Sequence, residues 1–427
     1  MLQVPDYLNS ATLLNSGPSR PPIFIDAFAG CGGLSLGLMR AGWQCLFAIE
    51  KDKFAFETLK ANFLQEDSRY RHDWPSWLPQ APLDINEFIE NHQSKFARIR
   101  GRVDLLAGGP PCQGFSSAGK RNPRDPRNKL VNAYLKLVHA LEPDMVLLEN
   151  VRGITSSFAS GASSGTTTNY SERLVHALEP NYIVFSRMLR ASTYGVPQKR
   201  PRYFLIALRK NIERPWPRKD PFVLLKKRKK DFLLGRGFPL RPSSRSALSD
   251  LELHRNGEIE CPDSKGYAAI GYKKPRTAFQ TAMRDGFDSN PSDTRLARHR
   301  PHIVERFSEI IDYCLEHQHL NTSIPRDLRE SFGIQKQAIR VLDPRKPAPT
   351  ITSMPDDLLH YSEPRTLTVR ENARLQTFPD WFEFKGKYTT GGDLRRSEVP
   401  RFTQVANAVP PLLAELLGIC LLEYLPE

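Results

Sequence analysis

Cys112 stands in the run Gly108-Gly109-Pro110-Pro111-Cys112-Gln113-Gly114-Phe115-Ser116, directly after a short apolar stretch. Two prolines fix the backbone and present the thiol at the tip of a turn. The following residues, 117–129, are rich in Gly, Pro and Arg. Such basic neighbours favour the thiolate, the nucleophilic form of cysteine. A buried, inert thiol is the plainer alternative, and the polar surroundings argue against it. Glu149, in Glu149-Asn150-Val151, also follows an apolar run. It could be a helix-capping segment or a carboxyl group at the same edge as Cys112. Arg200 and Arg202, in Gln198-Lys199-Arg200-Pro201-Arg202, offer fixed cations for a phosphate or a base carbonyl.

A second constellation is Phe24-Ile25-Asp26-Ala27-Phe28-Ala29-Gly30-Cys31-Gly32-Gly33-Leu34. It reads as a strand, a glycine turn and a helix start. Glycines let a ligand approach the backbone, and a helix N-terminus offers free N–H groups. Glu50 follows 20 residues after Gly30, where a carboxylate can accept hydrogen bonds from ribose hydroxyls. The turn does not match Gly-x-Gly-x-x-Gly, and no phosphate-binding Gly-x-x-x-x-Gly-Lys-Ser/Thr run exists. A nucleoside cofactor without a bound pyrophosphate is therefore expected.

These groups need elements to hold them. Apolar runs at 23–27, 45–49, 103–107 and 145–148 read as buried strands, and 34–41, 54–63 and 130–141 as helices. Residues 182–189 and 203–208 are β-rich. Alternating strands and helices predict an α/β fold, a doubly wound parallel sheet covered on both faces. Beyond 209 the alternation fades. Residues 210 to about 340 are rich in Pro, Arg and Lys and include Lys226-Lys227-Arg228-Lys229-Lys230. They read as a second, smaller domain of irregular structure, and the basic run as a solvated loop. The expected division is a lead-in at 1–22, a catalytic and cofactor-binding domain at 23–209, a small domain at 210–399, and a C-terminal helix at 400–427.

The chain has 427 residues, 40% of them hydrophobic, and a formal net charge of +14. Its mean hydropathy is -0.46. The charge favours a polyanionic partner. No run reaches the ~18 consecutive apolar residues of a membrane span, Glu415 and Glu423 interrupting the most apolar late segment, and no signal pattern opens the chain. The six cysteines show no C-x-x-C pair and no zinc spacing, so no metal site is expected, and free thiols in a reducing cytoplasm are.

In this order, the segments resemble the DNA (cytosine-5) methyltransferase family of prokaryotic restriction–modification systems. The Asp-x-Phe-x-Gly-x-Gly-Gly turn, Pro-Cys-Gln, Glu-Asn-Val and Gln-x-Arg-x-Arg carry the resemblance. So do the stretch from Arg365-Thr366-Leu367-Thr368 to Leu375-Gln376-Thr377-Phe378-Pro379, and Gln404-Val405-Ala406-Asn407-Ala408-Val409-Pro410.

The resemblance implies methyl transfer from S-adenosylmethionine to carbon 5 of a cytosine in double-stranded DNA. By it, Cys112 attacks C6 of a flipped base, Glu149 contacts N3, and Arg202, with Arg200, holds O2. Phe28, Gly30, Cys31, Gly33, Glu50, Asp84, Ile85, Gly109, Pro110, Leu130, Asn407, Ala408 and Val409 would line the cofactor. Here the family's Gly-Asp-Ile reads Leu83-Asp84-Ile85, and the stretch before it is long. Residues 113–129 would close over the base, and 210–399 would read the DNA sequence. The resemblance also implies a monomer, working beside a restriction endonuclease encoded nearby. A tRNA methyltransferase of the same lineage would lack so long a basic insert. An amino-methylating enzyme would carry Pro-Pro-aromatic instead of Pro-Pro-Cys. A DNA-binding regulator without catalysis would not need Cys112, Glu149 and Arg202 intact.

Overall fold

The structure, a computed structural model, describes residues 20–111, 129–156, 158–159, 167–210, 216, 219–391, 394 and 397–425. Its centre is a six-stranded sheet. Strands β1 (Ile23–Ala27), β2 (Gln44–Ile49), β3 (Leu105–Gly108) and β4 (Met145–Val151) come from the expected apolar runs. Between them stand α1 (Gly33–Arg40), α2 (Lys53–Phe63), α3 (Ile85–Asn91), α4 (Gln93–Ile99) and α5 (Lys129–Leu141). After β4 come the two-residue strands β5 (Phe158–Ala159) and β6 (Thr167–Thr168), α6 (Tyr170–Leu178), and the long strands β7 (Tyr182–Arg190) and β8 (Pro201–Arg209).

The order across the sheet is β2-β1-β3-β4-β8-β7. Strands β1 to β4 pair in parallel, whereas β8 is antiparallel to both β4 and β7. The sheet is therefore parallel only in part. The cause is the short β7–β8 connection: a parallel crossover needs a dozen or more residues.

Alternate residues of each strand enter two different cores, as a period of two requires, except in β2, where a register shift beside Leu46 puts Cys45 and Phe47 in different cores. Phe24, Cys45, Leu105, Leu147 and Phe204 face one core, with α1, α2 and the chain's last helix. Ile25, Phe47, Leu106, Leu148 and Leu205 face the other, with α3 to α6. Burial on both faces explains why the four parallel strands read as continuous apolar runs.

Register sets the working edge. Ala27 pairs with Ile49 and with Gly108, and Gly108 with Leu148. The next residue of each strand is Phe28, Glu50, Gly109 or Glu149, so all four emerge along one line.

The later region is largely helical. It holds α7 (Pro221–Gly235), α8 (Ser244–Leu248), α9 (Leu253–Asn256), the antiparallel pair β9 (Glu258–Glu260) and β10 (Ala268–Ile270), and α10 (Ala278–Arg284). Then come α11 (Pro301–Glu316), α12 (Arg326–Ser331), β11 (Arg340–Val341), β12 (Leu358–Leu359), α13 (Val369–Leu375), α14 (Arg401–Asn407) and α15 (Pro411–Leu422). The basic run expected as a loop lies on α7. Phe222, Leu224, Leu225 and Leu233 bury that helix in the first core, while Lys226, Lys227 and Lys230 stay exposed. A small separate core forms around Phe307, Ile310, Ile311, Cys314, Ile324 and Val341.

Buried arginines of the α13 segment tie the insert together. Arg374 bridges Asp250, at 3.1 Å, and Asp380. Arg370 meets Asp293 at 3.4 Å and the carbonyl of Ser292 at 2.9 Å. Arg365 meets Glu371 at 2.8 Å. Each charge is paired, as burial demands.

Residues Arg401–Leu422 contain an 18-residue stretch apolar and long enough to cross a membrane, contrary to the expectation from sequence, but 78% of that stretch is buried inside the fold. It also carries Glu415, whose carboxylate meets Arg40 at 3.0 Å and Arg236.

Candidate active site

The turn after β1 is built on left-handed backbone. Phe28, Gly30 and Gly32 have φ of 62°, 57° and 89°. A Cβ on Gly30 would meet nothing within 4 Å, so the turn is open there. Gly33 is the opposite case: a Cβ would lie 2.5 Å from the Val409 carbonyl oxygen and 3.2 Å from the Ala408 Cβ. Glycine at 33 therefore lets the 408–409 backbone close on the turn. Of the expected lining residues, Gly33, Ala408 and Val409 are thus brought together. The Cys31 thiol is buried and faces the Gln404 carbonyl at 3.6 Å.

Glu50 leaves the end of β2 into this turn. Its carboxylate accepts the N–H of Gly30 at 2.8 Å and of Asp52 at 2.7 Å. These bonds hold the group in place, and lone pairs remain for a ligand's hydroxyls. Burial pushes its pKa above the ordinary carboxylate range. The Leu83 N–H donates to the Glu50 carbonyl at 2.7 Å, which brings Asp84 and Ile85 alongside. Asp84 caps α3 by accepting the Asn86 N–H at 2.8 Å, and Ile85 is buried. The extra residues before them cover the β2 edge, where the Asp73 N–H donates to the Cys45 carbonyl at 2.7 Å. Leu130 lies in the first turn of α5, packed against the second core.

The second half of the site gathers at β3, β4 and β8. Because β8 runs antiparallel, its first residues lie where β4 ends: Val151 pairs with Arg202. Arg202 Nε stands 3.1 Å from Glu149 Oε1. The angle is poor, and neither of these two buried atoms has a hydrogen-bond partner. Glu149 is 8% exposed. Burial raises its pKa, opposed by the charges of Arg202 and Arg200. A carboxyl group so placed is ready to hold a proton at higher pH than an ordinary glutamate. Gly109 passes close by: a Cβ on it would be 3.4 Å from Glu149 Oε2.

Asn150, not singled out from sequence, donates from Nδ2 to the Pro110 carbonyl at 2.9 Å and accepts the Val151 N–H at 2.8 Å. It fastens the Pro-Pro turn to the end of β4. Cys112 and residues 113–128 lie outside the described residues. The other five cysteines are buried and unpaired. Burial pushes the thiols of Cys31 and Cys420 up to about 12 and that of Cys314 to about 11. Such thiols make poor nucleophiles at neutral pH.

Arg200 has different partners from Arg202. Its guanidinium donates to the carbonyls of Ala406 at 2.8 Å, Asn407 at 3.2 Å and Ala408 at 2.8 Å. Gln198 donates to Gln376 Oε1 at 3.0 Å, and Gln376 to the Val405 carbonyl at 2.8 Å. Asn150, Gln198 and Gln376 all stand inside the quoted motifs, but partners that are backbone carbonyls leave no trace in residue type. Among the described residues no group of three or more His, Cys, Asp or Glu could hold a metal ion.

The family model of the C-5 cytosine-specific DNA methylases matches residues 23–421. The Type II methyltransferase M.DdeI of Desulfomicrobium norvegicum is 30% identical over 403 residues, 92% of this chain and 87% of its own. The Type II methyltransferase M.XorII of Xanthomonas oryzae pv. oryzae is 29% identical over 417 residues, 93% of this chain and 84% of its own. A solved structure of an E. coli prophage-encoded protein, assigned as a DNA modification methyltransferase, superposes with a TM-score of 0.65. It is 26% identical and covers 94% of this chain and 99% of its own.

Proposed function

The chain belongs to the C-5 cytosine-specific DNA methylase family, and on that premise we propose how its residues methylate carbon 5 of cytosine in DNA. The observation that carries the reading is the Glu149–Arg202 pair, 3.1 Å apart at the edge where Asn150 fastens Pro110 to the end of β4. A carboxyl group and a guanidinium side by side match N3 and O2, adjacent atoms of the cytosine ring.

Cytosine C5 is too weak a nucleophile to take a methyl group unaided, and covalent catalysis remedies this. The Cys112 thiolate forms a bond to C6, and the C5=C6 electron pair moves onto C5. Glu149 donates a proton toward N3, and Arg202 holds O2 as charge builds in the ring. C5 then takes the methyl group. Loss of the C5 proton and departure of the Cys112 sulfur restore the C5=C6 bond.

The donor proposed is S-adenosylmethionine, which supplies a methyl group on a sulfonium sulfur. The residues fit it: Glu50 offers carboxylate lone pairs to ribose hydroxyls, the turn at Gly30 is open, and Ala408 and Val409 wall it. Asp84, Ile85, Phe28, Gly109, Pro110, Leu130 and Asn407 complete the surround. The target carbon is buried in duplex DNA, so the base must be flipped out, at roughly a few kcal/mol. The 210–399 region reads a specific sequence through the groove. The protein works as a monomer beside a restriction endonuclease that cuts the same unmethylated sequence.

The test uses duplex DNA containing 5-fluorocytosine together with S-adenosylmethionine. The fluorine cannot leave as a proton, so the wild type should become covalently joined to the DNA, and Cys112→Ala should not. Absence of an adduct with the wild type, on DNA that it otherwise methylates, overturns the covalent step.

A further inference from the structure

Arg200 is 1% exposed, yet among the described residues its guanidinium touches no carboxylate. Its backbone has φ 28°, in the left-handed region. A side chain other than glycine persists there only where its surroundings over-determine it. The surroundings are the end of α14. The last carbonyls of a helix lack partners within it, and a cation there also meets the negative end of the helix dipole. Arg200 serves three consecutive carbonyls of this kind, Ala406, Asn407 and Ala408, while Gln376 takes those of Val405 at 2.8 Å and Ala408 at 3.1 Å.

Both ends of this contact lead into the site. Downstream of the carbonyls, Val409 and Ala408 close on Gly33 of the cofactor turn. Two residues after Arg200 on the same chain, Arg202 faces Glu149 at 3.1 Å. We propose that Arg200 is a positioning residue that couples occupancy of the cofactor turn to the placement of Arg202 and Glu149 around the target cytosine. This rests on the reading of the site given above. A ligand that fixes 407–409 fixes the acceptors of Arg200, and with them the start of β8. The reverse also holds, because coupling between two binding sites is reciprocal.

Arg200→Lys separates this role from bulk stability. A lysine keeps the charge but cannot present a planar fork to three carbonyls. The measurement is the Kd of S-adenosylhomocysteine for the full chain, alone and with saturating duplex of the sequence that bisulfite sequencing shows the wild type to methylate. The wild type should bind S-adenosylhomocysteine at least about fivefold more tightly with the duplex than without. In Arg200→Lys that factor should fall toward one, a ratio that any loss of affinity shared by both conditions leaves unchanged. Gln376→Ala, which removes the neighbouring links to the Val405 and Ala408 carbonyls, should lower the factor in part and serves if Arg200→Lys does not fold. An undiminished factor in either folded variant, or no coupling in the wild type, overturns the proposal. A wild type that leaves every cytosine unmodified overturns the reading of the site instead.

Discussion

Glu149 and Arg202 face each other at 3.1 Å across the β4–β8 pair without a directed hydrogen bond. They are matched in charge, and their contact is an ion pair. Glu149→Ala should lower kcat for methylation by roughly 10²–10⁴-fold, the usual range for a general acid. Burial raises the Glu149 pKa, so its protonated form persists to higher pH than an ordinary glutamate's. The wild-type rate should therefore fall as pH rises through that raised value, and Glu149→Gln should lose this limb. Methyl-transfer rates across pH check it; an unchanged limb in Glu149→Gln would assign it to another group.

Asp26 lies beneath the cofactor turn. Oδ2 accepts the Ser35 hydroxyl at 2.7 Å, and Oδ1 is buried without a partner. Burial raises its pKa to about 7 from 3.8. A raised carboxyl pKa means that the folded state binds the extra proton. The contribution to stability is present in full below pH 3.8, is lost as pH rises toward about 7, and is level above. At roughly 1.4 kcal/mol per pH unit the total reaches a few kcal/mol. Asp26→Asn keeps an acceptor for Ser35 and removes the charge. At pH 8 it should be more stable than the wild type, as read by the urea midpoint.

Gly37 of α1 lies against α15. A Cβ there would stand 2.3 Å from Ala414 Cβ, 2.5 Å from the Pro411 carbonyl oxygen and 2.7 Å from the Glu415 nitrogen. Alanine would add about 1 kcal/mol of helix propensity. Overpacking against fixed backbone costs about 1–3 kcal/mol or more, and should win. Gly37→Ala should lower the urea midpoint at unchanged m-value. Gly235→Ala, a helix position where a Cβ meets nothing within 4 Å, should not.

The net charge of +14 predicts a steep salt dependence of DNA affinity. Releasing counterions from six or more phosphates would weaken binding by roughly 10³-fold between about 50 and 200 mM salt. A flat titration would mean that the positive charge lies away from the DNA.

The residue types proposed to do the chemistry were legible from sequence because chemistry is local. A thiol after two prolines, a carboxyl after a strand and a glycine turn each announce themselves within a few residues. The parallel strands were legible for a similar reason, since burial on both faces leaves an unbroken apolar run. What residues far apart in the chain do to each other was not. The reversal of β8 comes from a short connection and a pairing partner about 50 residues away, and only that reversal brings Arg202 to Glu149. Arg200 and Arg202 read as equivalent cations in one motif. The fold gives one a row of helix-end carbonyls and the other a buried carboxylate. The basic run on α7 read as a loop because its charges are local, whereas the core that makes it a helix is assembled from α15 and the sheet. Sequence alone determined which groups are proposed to meet a cytosine. Tertiary structure decided which of them stand together, because backbone partners and strand direction are set by packing and not by residue type.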